Sequence, residues 1–177
     1  MKLNLGCGPH HRPDGYVHID REPSAEPDQI VDLEGTWPWG DGSVDEILMN
    51  HVMEHLSDHV HIYKESYRVL KAGGILQINV PHHLSEAYYG DPTHVRPVTL
   101  QMLSCLSKRL NRMTIERGWA NSPLAIYWDV DFEVDKADVS LTPDFRDKGL
   151  SQESLDYAMK HLFDVVEEVK FTLRKVV

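Results

Sequence analysis

Three observations predict an α/β fold built on a mostly parallel sheet. A short apolar run, Leu3-Asn4-Leu5, feeds directly into a glycine turn, Gly6-Cys7-Gly8. Further short apolar runs each stop on a polar residue, at Asp20, Asp32 and Asn50. A helical segment with start and stop signals then precedes the clearest strand, Ile75-Leu76-Gln77-Ile78-Asn79-Val80-Pro81. Strand, loop, strand, strand, helix, strand is the order expected of a parallel sheet.

Each element has its own warrant. Glycine sits where backbone must bend sharply or where a ligand must approach it without meeting a Cβ. Pro9, Pro13 and Asp14-Gly15 leave no room for a full helix before the second strand, Tyr16-Val17-His18-Ile19, so the first crossover is shortened. Gln29-Ile30-Val31 reads as a third strand, and the segment from Ser43 to Met49 leads into a fourth that stops near Asn50. Ser57 or Asp58 caps a helix running to about Leu70, with Ile62, Tyr63, Tyr67 and Leu70 on one face. Lys71-Ala72-Gly73-Gly74 supplies a basic last turn and a glycine stop.

The second half is less regular. Residues 82–96 read as an insertion, followed by a helix over 98–110. Residues 124–130 and 134–141 look like strands, Ser151 caps a helix to about His161, and 163–176 is the last strand, closing an antiparallel hairpin. The 177 residues suit one domain, with residues 1–81 as the ligand-binding half and 82–177 as the acceptor side.

Composition excludes several classes. No apolar run approaches the roughly 18 residues that a membrane span needs. The start of the chain has no apolar stretch of signal-peptide type. Two cysteines, Cys7 and Cys105, are too few for a disulfide framework, and a reducing cytoplasm is the simplest home. A net charge of -10 argues against broad binding to a phosphate backbone. Lys108, Arg109, Arg112 and Arg117 read better as a solvated helix end than as a nucleic-acid patch.

The chemistry concentrates at the carboxyl ends of the predicted strands, where open parallel sheets bind ligands. Gly6-Cys7-Gly8, Asp20, Asp32-Leu33 and Asn50-His51 all fall there. An acidic residue ending the second strand suits a ribose diol, because one carboxylate accepts from two hydroxyls. Asp32 with Leu33 offers a polar contact and an apolar wall for a purine. Each aspartate alone is also a common turn former, but four coincident strand ends point to a nucleotide-type ligand.

These residues, with Gly15-Tyr16-Val17-His18-Ile19-Asp20, Trp37-Pro38-Trp39-Gly40-Asp41-Gly42-Ser43-Val44-Asp45, His51-Val52-Met53-Glu54-His55-Leu56 and Arg68-Val69-Leu70-Lys71-Ala72-Gly73-Gly74, carry a resemblance. Over about residues 1–81 the chain resembles a small class I S-adenosylmethionine-dependent methyltransferase of the type 11 group. That resemblance implies a Rossmann-like three-layer sandwich with a seven-stranded sheet whose last strand is antiparallel. It implies S-adenosyl-L-methionine as cofactor and S-adenosyl-L-homocysteine as product. By position, Leu5, Gly6, Cys7 and Gly8 resemble the loop against the methionine part, and Asp20 resembles the ribose ligand. Asp32 and Leu33 resemble the adenine contacts, and Asn50 and His51 the residues facing the methionine and sulfonium. The chain departs from the family in lacking a helix before the first strand and in its short first crossover. The sheet surface so exposed could be covered by a partner subunit in a homodimer.

A base is needed only where the acceptor must lose its proton early. His82-His83 and Asp91-Pro92-Thr93-His94-Val95-Arg96 lie beyond the fifth strand, with Tyr88 and Tyr89 available to wall a flat or sugar-like acceptor. His94 is the preferred base, with Asp91 beside it, although these residues also suit a loop that merely holds itself together. The expected acceptor is a small molecule or glycan.

His51-Val52-Met53-Glu54-His55 also fits H-x-x-E-H, a zinc-hydrolase pattern, with His59 and His61 following. That pattern must lie within a helix, whereas His51 directly follows a strand and no later helix offers an acidic third ligand. No metal is expected. The other rivals are a nicotinamide-dependent oxidoreductase, which needs a longer glycine fingerprint than Pro9 and Pro13 allow, and a non-catalytic nucleotide-binding or partner module.

Overall fold

The computed structural model describes residues 1–177. Its seven strands are β1 (Lys2–Leu5), β2 (Val17–Asp20), β3 (Gln29–Ile30), β4 (Val44–Asn50), β5 (Leu70–Pro81), β6 (Phe132–Leu141) and β7 (Val166–Lys175). The helices are α1 (His59–Val69), α2 (Glu86–Gly90), α3 (Leu100–Ser104), α4 (Lys108–Glu116), α5 (Leu124–Trp128), α6 (Pro143–Arg146) and α7 (Gln152–His161). The strands form one sheet in the order β3-β2-β1-β4-β5-β7-β6. The first five are mutually parallel, while β7 runs antiparallel to both neighbours. The order in which strands are added reverses between β1 and β4, which places the topological switch point at their carboxyl ends.

Burial explains the strands. Leu3, Asn4 and Leu5 are all inaccessible, so β1 is covered on both faces, as a central parallel strand must be. The cover on the Asn4 face is the loop between β1 and β2, not a helix. Asn4 Nδ2 donates 2.7 Å to the carbonyl of His11, which pins that loop down. From the same loop, Arg12 donates to the carbonyls of Ala25 and Glu26. The short crossover is therefore an ordered lid over the sheet edge.

Helix α1 starts at Asp58, whose carboxylate accepts from the His61 amide. Ile62, Tyr63, Ser66 and Val69 form its buried face. Arg68 faces the other way and donates to the carbonyl of Trp39 and the carboxylates of Asp41 and Glu65, fixing the Trp37-to-Asp41 segment. Lys175 on β7 donates to the carbonyls of Tyr67 and Leu70, closing the end of α1.

Three local expectations are corrected. Lys71-Ala72-Gly73-Gly74 does not end the helix; α1 stops at Val69, and these residues are an irregularity in β5 where the register with β4 shifts. Gly73 takes the positive φ of +72° that this kink requires. The single helix expected over 98–110 is two, because Thr99 caps α3 and Ser107 caps α4. Residues 124–128 form helix α5 rather than a strand: the Ala125 amide is taken by Asn111 Oδ1 and the Cys105 carbonyl, so no ladder is available to it.

Candidate functional site

At the carboxyl end of β1, Gly6 and Gly8 both take positive φ, +66° and +54°. The turn is tied to β2 from two sides. The Cys7 amide donates to the Ile19 carbonyl at 3.0 Å, and the Gly8 amide donates to Asp20 Oδ2 at 2.9 Å. The other oxygen of Asp20 accepts from the Glu22 amide at 3.0 Å. One carboxylate thus holds both the loop that leaves β1 and the loop that leaves β2.

An open cleft lies along this edge. Among the residues singled out from sequence, Gly6, Asp20, Asp32, Leu33 and His51 line it. Val31, Val52 and Leu56 add apolar wall, and Arg21 and His55 add polar surface. None of these five is singled out for the cofactor by sequence, and His55 is named only in the zinc-hydrolase pattern, although Val52, His55 and Leu56 fall in the segment that carries the family resemblance. Leu5 and Cys7 are buried, so at most their backbone reaches the edge. Gly8 and Asn50 lie outside the lining, and Asn50 Oδ1 is occupied by Asn79 Nδ2 at 2.8 Å. Asp32 Oδ1 accepts from the Glu34 amide in a tight turn, and Oδ2 takes no bond within the chain.

His51 is the strained residue of the site. It leaves β4 at φ +53°, a left-handed conformation uncommon for a bulky side chain. Its amide donates to the Asn79 carbonyl at 2.9 Å, which fixes the turn. Its ring lies between two carboxylates, Nδ1 3.3 Å from Glu54 and Nε2 3.5 Å from Glu168. Glu54, then Glu168, favour the imidazolium and raise its pKa above the ordinary value, against the opposing effect of burial.

The H-x-x-E-H residues do not share a helix. Met53–His55 is a single 3-10 turn, and His51 belongs to the strand end before it. Asp91 is largely a loop former: its Oδ1 accepts from both the amide and the hydroxyl of Thr93. His94 is packed away, its side chain only 7% exposed, stacked on Tyr88 and edge-on to His55. Its Nε2 stands 4.0 Å from Asp91, beyond hydrogen-bonding distance. The 91–96 loop is latched down by the Val95 amide, which donates 2.7 Å to the Glu54 carbonyl.

His82, at the carboxyl end of β5, gives a pH prediction. Its Nδ1 accepts from the Leu84 amide, and burial together with neighbouring His83 lowers its pKa from 6.5 to about 4. The native state therefore prefers neutral imidazole, while the unfolded chain takes up a proton near pH 6.5. Stability that is complete above pH 6.5 is lost as pH falls towards 4. Allowing for partial exposure, the loss assignable to His82 is about 2 kcal/mol. In urea titrations at pH 7.5 and 4, His82→Asn is expected to lose about that much less than the parent. Superimposable pH profiles would remove His82 from this role.

A family model described as a methyltransferase domain (Methyltransf_11) matches residues 15–78. No curated protein matches the sequence. Solved structures match across almost the whole chain at low identity. One is an S-adenosylmethionine-dependent methyltransferase from Archaeoglobus fulgidus: 16% identity, TM-score 0.58, 98% of this chain and 85% of that one. Another, from Thermotoga maritima, is described as an S-adenosylmethionine-dependent methyltransferase and possible histamine N-methyltransferase: 17%, 0.60, 98% and 81%. A third is the geranyl diphosphate C-methyltransferase of Streptomyces coelicolor, solved with S-adenosyl-L-homocysteine, Mg2+ and geranyl diphosphate: 13%, 0.54, 99% and 73%. At these identities the likeness establishes the fold.

Proposed function

We propose that the chain is a class I S-adenosylmethionine-dependent methyltransferase whose cleft transfers methyl groups to a polar small-molecule or glycan-type acceptor, a reading supported by its fold and by the methyltransferase-domain match over residues 15–78. One observation carries the reading: the ends of β1, β2 and β4 and the turn after β3 contribute Gly6, Asp20, His51 and Asp32 to a single cleft at the switch point.

The residues fit the cofactor. Gly6 presents bare backbone where the methionine part would lie. Each oxygen of Asp20 keeps a second lone pair for ribose hydroxyls, its first being used by Gly8 or Glu22. Asp32 Oδ2 is available to an exocyclic amine, and Val31, Leu33 and Leu56 supply apolar wall for a base.

When bound, the sulfonium supplies an activated methyl group with a good leaving group. The chain's own residues then have to bind, orient and exclude water, since proximity and alignment provide much of such an acceleration. Asp20 holds the glycine turn in its binding conformation. His51, with Glu54 and Glu168 beside it, gives the acceptor side a polar wall. That wall and the net charge of -10 favour neutral or cationic acceptors over polyanions. His94 and Asp91 enter as acceptor-side loop residues and not as an acid–base pair.

Calorimetric titration with S-adenosyl-L-homocysteine, S-adenosylmethionine and NAD tests the reading. Saturable 1:1 binding of the two sulfur compounds, and none of NAD, is the expected result. An acceptor screen read by S-adenosyl-L-homocysteine release should then give turnover with hydroxyl-rich small molecules. Absence of binding by either sulfur compound would refute the assignment, and binding without turnover on any acceptor would refute the catalytic part.

A further inference from the structure

The turn after β4 and the 91–96 loop, 39 residues apart at His55 and His94, bring together Glu54, His55 and His94. One ligand atom from each lies within 4.8 Å of the other two. We propose that these three side chains form a divalent-cation site, selective for zinc-like metals, on the acceptor side of the cleft.

The first argument is the state of Glu54. Its side chain is completely inaccessible, yet neither carboxylate oxygen has a hydrogen-bond partner. The nearest nitrogen, His51 Nδ1, stands 3.3 Å away as an ion-pair partner when protonated, without forming a hydrogen bond. A buried carboxylate whose oxygens make no hydrogen bond and face a single imidazole is incompletely compensated, and buried carboxylates are normally fully paired or coordinate metals. A cation between Glu54 and the two imidazoles would supply that missing partner.

The second argument is independent and concerns the protons on the two histidines. His94 Nδ1 lies 2.6 Å from the Tyr88 carbonyl, an acceptor only, so Nδ1 carries the hydrogen and Nε2 keeps its lone pair. His55 Nδ1 lies 2.9 Å from Thr93 Oγ1, whose own hydrogen is donated 2.7 Å to Asp91 Oδ1. The hydroxyl oxygen must therefore accept from His55, which again leaves Nε2 unprotonated. Both rings are held by outer partners in the tautomer a metal ligand requires, and such partners accompany most metal-bound histidines. Asp91 and Thr93 act here as positioning residues.

Two imidazole nitrogens and one carboxylate oxygen select zinc or a neighbouring transition metal over magnesium or calcium, which prefer all-oxygen shells. Ligand atoms of a tetrahedral zinc stand about 3.3 Å apart, so closure from the present spacing requires movement of about 1 Å or more by side chains. Three protein ligands leave a fourth position for water or an acceptor oxygen. His55 also lines the cofactor cleft, so a metal held here would lie beside it. The ligand set differs from the H-x-x-E-H pattern: His51 is outside it, and its third member comes from a loop instead of a helix.

The test is calorimetric titration of ZnCl2 and MgCl2 into chelator-treated, full-length protein without methyl donor, so failure here is separate from failure of the methyltransferase reading. One zinc is expected to bind per chain, magnesium not at all. Glu54→Gln and His94→Ala should each weaken zinc by at least about 10²-fold, with folding checked by circular dichroism. His161→Ala, at a histidine outside the cluster, controls for adventitious binding and should bind as the parent does. Cobalt substitution should give the absorption of a tetrahedral site in the parent and lose it in Glu54→Gln. Should Glu54→Gln not fold, Thr93→Val, which removes the outer acceptor from His55 together with the hydroxyl bond to Asp91, should still weaken zinc by about tenfold. Lack of saturable 1:1 zinc binding, or zinc affinity unchanged in both ligand variants, would overturn the proposal. Equal loss in His161→Ala would do the same.

Discussion

Gly6→Ala is expected to cost about 3 kcal/mol of folding stability and to reduce cofactor binding below detection. Two effects add. The backbone at Gly6 has φ +66°, where a residue with a Cβ pays about 1–2 kcal/mol. The new Cβ would also stand 2.5 Å from Val52 Cγ2 and 2.9 Å from Cγ1. Val52 is a short branched side chain, itself buried, so neither contact can be relieved by swinging a flexible end aside. Overpacking of this kind costs about 1–3 kcal/mol. The two parts are separable. In Gly6→Ala/Val52→Ala the steric part should vanish, so the double variant should be more stable than the sum of the single losses predicts, by about 1–2 kcal/mol. Strict additivity in urea denaturation would show that Val52 is not what excludes a side chain there. The contact joins the first residue after β1 to the second after β4, the two strands that flank the switch point, which is why its expected effect is among the largest in the chain.

The parts of the fold that could be read in advance are those governed by local pattern. Leu3-Asn4-Leu5 ending in glycine, Asp58 ahead of an amphipathic run, and the unbroken Ile75-to-Pro81 stretch each specify their element within a few residues. The second half needed tertiary information. Leu124-Ala125-Ile126-Tyr127-Trp128 is a short apolar run, which periodicity cannot assign to helix or strand. What decides is Asn111, buried from α4, which donates to the Cys105 carbonyl and accepts from the Ala125 amide. Residues 98–110 match one continuous helical pattern, and it is the Thr99 and Ser107 side chains, each accepting from a backbone amide three residues on, that divide it in two.

The site divides along the same line. Gly6, Asp20, Asp32, Leu33 and His51 lie at or just beyond strand ends, and strand ends are legible, so sequence could bring them to one edge. The environment of each side chain is another matter. Asn50, also at a strand end, spends its oxygen on Asn79 from the adjacent strand. Glu54 stands out in sequence only as a member of the H-x-x-E-H pattern. Its burial depends on residues 93–96 folding back over it, a contact that no local spacing encodes. His94, chosen from sequence as the preferred base, is largely covered, stacked on Tyr88.

Asp20 carries the second large effect, and its prediction distinguishes structural from ligand-binding roles. Its carboxylate already accepts from the amides of Gly8 and Glu22, and the proposed function gives it two ribose hydroxyls in addition. Asp20→Ala removes all of these acceptors together. Cofactor affinity should fall by roughly 1–3 kcal/mol, about 5- to 150-fold, the worth of charge-assisted hydrogen bonds. Some of that loss would come from a glycine turn no longer held for binding. Asp20→Asn separates the two contributions. Its single carbonyl oxygen can still accept from the Gly8 amide and keep the turn, but its NH2 group cannot accept from a ribose hydroxyl. Calorimetry of S-adenosyl-L-homocysteine should therefore place Asp20→Asn between the parent and Asp20→Ala, with stability close to the parent. A ligand lacking the ribose hydroxyls makes the distinction sharp. The 2′,3′-dideoxy analogue should bind the parent and Asp20→Asn with nearly equal affinity, because the interaction removed from the protein is already absent from the ligand. If Asp20→Asn weakens the analogue as much as it weakens the natural compound, Asp20 acts only through the Gly8 turn, and the ribose must be held elsewhere along the cleft.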